Sequence, residues 1–208
     1  MPVGAALKQQ YNNCEQKDIR GSMSEEAALF EILILECKID AKGTAHYFNA
    51  LGQLHREHGP AVKYVDGTHA WYQHGQLHRL DGAAVVNADG THVWYQDGML
   101  HRLDGAAVEH DDGSLEWHQN GQLHRLDGPA IEWADGSCEW RQNGQRHRLD
   151  GPAVEYADGT YMWYQNGVLH RLDGPAFVGA DGECGWYING NELTRAEWQQ
   201  AVASKEAV

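Results

Sequence analysis

The chain has 208 residues, with 30 acidic against 16 basic side chains and a formal charge of −14. Such a surplus repels nucleic acid and anionic lipid and attracts cationic proteins. The 24 glycines, with frequent Tyr and Trp, suit short strands joined by tight turns.

Residues 1–22 are polar and mixed, and read as a flexible N-terminal arm. Gly21-Ser22 ahead of Met23 also looks like a cloning remnant, with Met23 as the natural start. Met1 to Arg20 lacks the apolar core of a secretory signal, and Ile32-Leu33-Ile34-Leu35 is too short to span a bilayer. The four cysteines include no CxxC or CxxH pair, which argues against a zinc site and for free thiols in the cytoplasm. Ser22 and Glu25 form a capping box ahead of a helix over 24–30, and residues 31–40 read as a strand. Ala41-Lys42-Gly43-Thr44 mimics a turn found further along, so 31–54 is taken as a degenerate first repeat within an N-terminal cap over 23–54.

From His55 onward one unit recurs every 23 residues, opening at His55, His78, His101, His124, His147 and His170. A fixed period of this size means a repeat architecture. The array over 55–193 holds 9 basic and 21 acidic residues, so it carries −12 of the total charge. Each unit has two hairpin signals, such as Asp158-Gly159 and Asn166-Gly167, and both suit two-residue type I′ turns. That geometry sets Tyr156 opposite Tyr161, Glu155 opposite Met162 and Val154 opposite Trp163. It also sets Trp163 opposite His170 and Met162 opposite Arg171.

Alternation then puts Val154, Tyr156, Tyr161, Trp163, His170 and Leu172 on a scaffold face. Glu155, Met162, Tyr164 and Arg171 fall on a face that varies between copies. The same register sets Glu109 against Glu116 and Glu132 against Glu139, an acidic row continued by Glu155, in which like charges oppose one another. Thr194 and Glu197 make a capping box for a C-terminal helix within 194–208, placed to cover the last strand edge.

Trp163 to Ala176, reading Trp-Tyr-x-Asn-Gly-x-x-His-Arg-x-Asp-Gly-Pro-Ala, resembles the MORN repeat (membrane occupation and recognition nexus). The resemblance covers 55–193 well and 31–54 weakly. It implies an elongated antiparallel sheet of stacked β-hairpins that serves as a binding or assembly surface. The His-Arg-x-Asp-Gly-Pro-Ala form resembles repeats of phage and large-virus proteins. Pro129-Ala130, Pro152-Ala153 and Pro175-Ala176 replace the family's second glycine, so its lipid binding is not carried over.

The residues themselves point away from catalysis. Equivalent histidines two strands apart lie roughly 10 Å from each other, too far to share a metal. A His ring packed on the facing Trp, with a ring nitrogen on turn backbone, accounts for that column. Arg-x-Asp pairs such as Arg148 and Asp150 read as turn pins. Asp111-Asp112-Gly113 is too short for an EF-hand, and no phosphate loop or nucleophile constellation is present. The reading is therefore an all-β, non-enzymatic protein-interaction module without cofactor or metal. A basic protein partner would be bound by Glu109, Glu116, Glu132, Glu139 and Glu155 with Tyr72, Tyr95, Tyr164 and Tyr187. Two alternatives stand beside it. One is a phage-encoded inhibitor of a host defence complex whose acidic surface mimics nucleic acid. The other is a small-molecule binder at one end of the array.

Overall fold

The two glycine turns of each repeat are of different kinds, and their difference sets the faces of the sheet. At Asn166-Gly167 both residues have positive φ, 50° and 82°, and Gln165 pairs with Val168 and Tyr164 with Leu169. This is the expected two-residue type I′ turn. At Asp158-Gly159 only the glycine has positive φ, 91°. Gly159 N–H donates to Tyr156 O and Tyr156 N–H to Thr160 O, which defines a three-residue loop with a glycine bulge. Asp158 stays out of the left-handed region because its carboxylate accepts the Thr160 N–H at 2.8 Å.

The extra loop residue shifts the register by one from the type I′ expectation. Val154 pairs with Met162 and Glu155 with Tyr161. Met162 has Phe177, not Arg171, on its other side. A one-residue slip moves a strand's whole side-chain set to the opposite face. Val154 therefore shares a face with Met162 rather than with Trp163.

The computed structural model describes residues 36–206. The arm over 1–22, the helix expected over 24–30 and the first part of the strand expected over 31–40 lie outside them. The chain divides into two compact units, residues 1–99 and 100–208. In the first, an antiparallel ladder runs Glu36–Ile39, Ala45–Phe48, Val62–Lys63, His69–Ala70, Val85–Val86, His92–Val93. In the second it runs from Val108–Glu109 through the paired strands of each repeat to Cys184–Ile188 and Asn191–Leu193. Each repeat adds a small second hairpin, such as Tyr164–Gln165 with Val168–Leu169. Among the described residues the protein is thus a stack of antiparallel hairpins with one helix, at the C-terminal end.

Burial is concentrated where successive backbones meet. Ala61 and Ala84 in the first unit, and Ala107, Ala130, Ala153 and Ala176 in the second, are fully buried. Val62 and Ala70, and then Val108 and Val154, are buried on the inner face beside them. One kind of stitch closes each 23-residue repeat and another joins neighbouring repeats. The Asn166 N–H donates to His147 Nδ1 at 3.1 Å, as Asn143 N–H does to His124 Nδ1, so the histidine column bonds turn backbone as expected. At the other turn, Ser137 Oγ accepts the Ala157 N–H at 2.9 Å.

Tyr47 stands in the tryptophan position, with its N–H on Ala61 O and its O accepting from His55 N–H. The extra residue before Gly52 gives a loop closed by Asn49 N–H to Gln53 O. Helix α1 (Arg195–Glu206) opens on the Thr194–Glu197 capping box, with Thr194 N–H on Glu197 Oε2 at 2.8 Å. Trp198 of α1 donates Nε1–H to Arg171 O and packs its ring 4.6 Å from Trp186.

Candidate functional site

The loop His-Arg-Leu-Asp-Gly between repeats is built by its arginine. Arg148 lies over the Trp140 ring at 3.9 Å, and Arg171 over Trp163 at 3.8 Å. Arg148 Nε donates to Asp150 Oδ1 at 3.0 Å, and Nη1 donates to Pro152 O at 3.1 Å and to Glu155 Oε1 at 2.7 Å. The guanidinium also occupies the space where a Cβ at residue 151 would sit, 2.8 Å from Arg148 Cζ. That close approach, and not a positive φ, is why the loop carries Gly151. His, Arg, Asp, Gly and Ala of the motif each have a job inside the fold.

The leucine has none. Leu80 in the first unit is 77% exposed, and Leu103, Leu126 and Leu149 in the second are 75–76% exposed, whereas Leu172 in the last loop is 37% exposed. Other exposed positions drift between copies: the residue after the type I′ glycine is Gln76, Met99, Gln122, Gln145 or Val168. The leucine persists in five successive loops, with Glu57 in its place only in the first. The loop thus repeats an apolar side chain that the fold leaves in solvent.

Between the loops of repeats 5 and 6 lies a cleft of about 610 Å³ with Leu149, Pro152 and Leu172 on its walls, beside Trp163, Asp150 and Asp173. Arg148 and Arg171 also line it, but their side chains are only 23% and 22% exposed, against 86% and 82% for Asp150 and Asp173. Solvent at this cleft therefore meets more carboxylate than guanidinium. The Arg171 guanidinium holds the Asp173 carboxyl below the usual carboxylate range.

The acidic row expected from the sequence does not form. Glu109 faces Leu115, not Glu116, and Glu132 faces Cys138, not Glu139. Glu109, Glu132 and Glu155 lie on the tryptophan side, each bonded to the arginine of its own loop at 2.6, 2.8 and 2.7 Å. Glu116 and Glu139 turn to the inner face with Val108 and Ile131. Tyr72, Tyr95, Tyr164 and Tyr187 are half-buried, and Tyr164 sits above Met162 on that same inner face. Within the second unit the five glutamates are split between two faces and do not make one row.

Two inner polar clusters replace apolar residues in the middle of the second unit. Glu139, 2% exposed, is bonded by Arg141 Nε and by Arg146 Nε at 3.0 Å and Nη2 at 3.1 Å. Hydrogen bonding to Glu139 drives the Arg146 pKa still higher. Glu116 accepts from His118 Nε2 at 2.8 Å and His110 Nε2 at 3.1 Å, and the His118 bond is the main cause of its lowered pKa. His118 Nδ1 is buried without a partner. No group of three His, Cys, Asp or Glu side chains among the described residues is arranged to hold a metal ion.

No protein-family model and no curated protein matches the chain. Among the described residues no helix is long and apolar enough to cross a membrane. Strand alternation set the loop leucine, through Leu172, on the scaffold face; the signal against that was an apolar residue held constant inside an otherwise polar turn.

Proposed function

We propose that the chain is a non-catalytic protein-interaction module of MORN-like repeats, and that its docking surface in residues 100–193 is the ledge of loop leucines. The observation that carries this reading is the row Leu103, Leu126 and Leu149, kept from copy to copy while three-quarters exposed. The exposed aspartates beside it, with the −14 charge of the chain, favour a basic partner. The inner acids, Glu116 and Glu139, serve the fold and leave the docking set, as does Tyr164.

The test is a comparison of two double variants as bait. Leu126→Ser/Leu149→Ser should melt at the wild-type temperature and lose the partner that wild type retains. Gln122→Ser/Gln145→Ser, at exposed positions that vary between copies, should keep it. Equal retention of that partner by all three baits refutes the ledge as a docking surface.

A further inference from the structure

The cleft between the loops of repeats 5 and 6 has a specific chemistry. Each wall pairs an apolar branch with a carboxylate one residue later: Leu149 with Asp150, and Leu172 with Asp173. In both aspartates Oδ1 is engaged by the neighbouring arginine, at 3.0 and 2.8 Å, while the carboxylate as a whole remains more than four-fifths exposed. The arginines are withdrawn onto the tryptophan rings. What is presented outward is leucine methyl groups below a rim of negative charge.

We propose that this cleft seats a lysine or arginine side chain of a protein partner, its methylene stem against Leu149, Leu172 and Pro152 and its cationic head at Asp150 and Asp173. Long cationic side chains lay their stems on apolar surface and keep their heads in polar surroundings, which is the division this cleft offers. An anionic group meets exposed carboxylate at the rim. A purely apolar side chain leaves that rim desolvated without a counter-charge. The Leu-Asp pair recurs at Leu103-Asp104 and Leu126-Asp127 in the same unit, so a partner segment with several basic residues gains from more than one loop. This inference rests on the interaction reading above and names the side chain that the ledge recognises.

The experiment is calorimetric titration of the full chain with deca-lysine and with deca-serine at low and moderate salt. Deca-lysine should bind, more weakly as salt rises, and deca-serine should not. Asp150→Asn/Asp173→Asn should weaken deca-lysine about fivefold to tenfold. Asp111→Asn/Glu183→Gln removes the same charge from exposed positions outside the cleft and should change affinity by less than about twofold. Leu149→Ser should weaken binding about threefold, through the lost stem contact, at an unchanged melting temperature. Equal weakening by the two charge-removing variants overturns the proposal, because net charge alone then accounts for binding. So does failure of deca-lysine to bind at low salt, or binding of deca-serine as tightly as deca-lysine. Those results leave the interaction reading to the leucine variants, whose captured partner does not depend on a lysine peptide.

Discussion

Repeat 4 (residues 124–146) closes its inner face with Glu139, Arg141 and Arg146, where repeat 5 (residues 147–169) uses Met162, Tyr164 and Leu169. The backbones are equivalent: Arg141 pairs with Arg146 as Tyr164 pairs with Leu169. In repeat 4 two like charges thus face each other across the small hairpin, and the Glu139 carboxylate between them makes the arrangement tolerable. A buried set of this kind is tied to its whole membership. Removing one partner is costly, while exchanging the entire set for apolar residues is close to neutral or stabilising. Arg146 also reaches forward to the Tyr164 hydroxyl at 3.4 Å, so the charged set contacts the apolar one beside it.

The largest expected effect breaks repeat 4 alone. Glu139→Met leaves Arg141 and Arg146 without their counter-charge and should lower stability in a urea melt by about 3 kcal/mol. The triple variant Glu139→Met/Arg141→Tyr/Arg146→Leu, which gives repeat 4 the inner set of repeat 5, should regain wild-type stability or exceed it by about 1 kcal/mol. A triple variant as weak as the single one would mean that the two sets are not interchangeable on this backbone.

The next effect extends the comparison to repeat 3, whose inner face holds Glu116 between His118 and His110. Hydrogen bonding to His118, then to His110, lowers the folded-state pKa of Glu116 beneath its unfolded value. The associated stability is complete above the unfolded pKa of about 4.3 and is lost as pH falls through the folded value. Glu116→Gln should therefore cost about 1 kcal/mol near neutral pH and flatten the loss of stability on acidification. Urea melts stepped between about pH 3 and pH 7 measure this, and parallel curves for wild type and variant would contradict it.

The smallest effect lies on the outer face of the same repeats. Cys138 stands in repeat 4 where repeat 5 has Tyr161, and burial pushes its thiol up to about 11. Roughly one thiol in a thousand is then ionised near pH 8, so Cys138 should react far more slowly with a disulfide reagent than exposed Cys184. Mass mapping after brief labelling reads the order, and equal labelling of the two cysteines would show that Cys138 is open to solvent.

The repeat period, the β-hairpin stack, the Asn-Gly turn geometry, the histidine bond to turn backbone and the Thr194–Glu197 cap were all legible from residue types and spacing. Each depends on contacts within a few residues or between exact copies. The faces were not legible, because they turn on one loop residue. Asp-Gly is compatible with both a two-residue and a three-residue loop, and the choice made at Asp158 moves Val154 and every equivalent residue across the sheet. Glu116 and Glu139 were misplaced for that reason alone. The loop leucine was misplaced for another: alternation put Leu172, the equivalent of Leu149, on the scaffold face, whereas a loop residue belongs to neither face and Leu149 is three-quarters exposed.

The hydroxyl stitch between copies has a consequence for how such a chain changes over time. Within residues 124–169 each repeat closes its own asparagine-to-histidine bond, offers forward one side-chain hydroxyl acceptor and takes one from its predecessor. The joint between copies is therefore translationally symmetric. Excising or duplicating one 23-residue unit there reconnects each severed acceptor with an equivalent donor, and no hydrogen bond of the stitch is orphaned. Array length can thus drift by whole units under slippage of the coding sequence, with the number of Leu-Asp loops rising or falling in step. The fold sets the grip of one loop, and the copy number sets how many loops a partner meets.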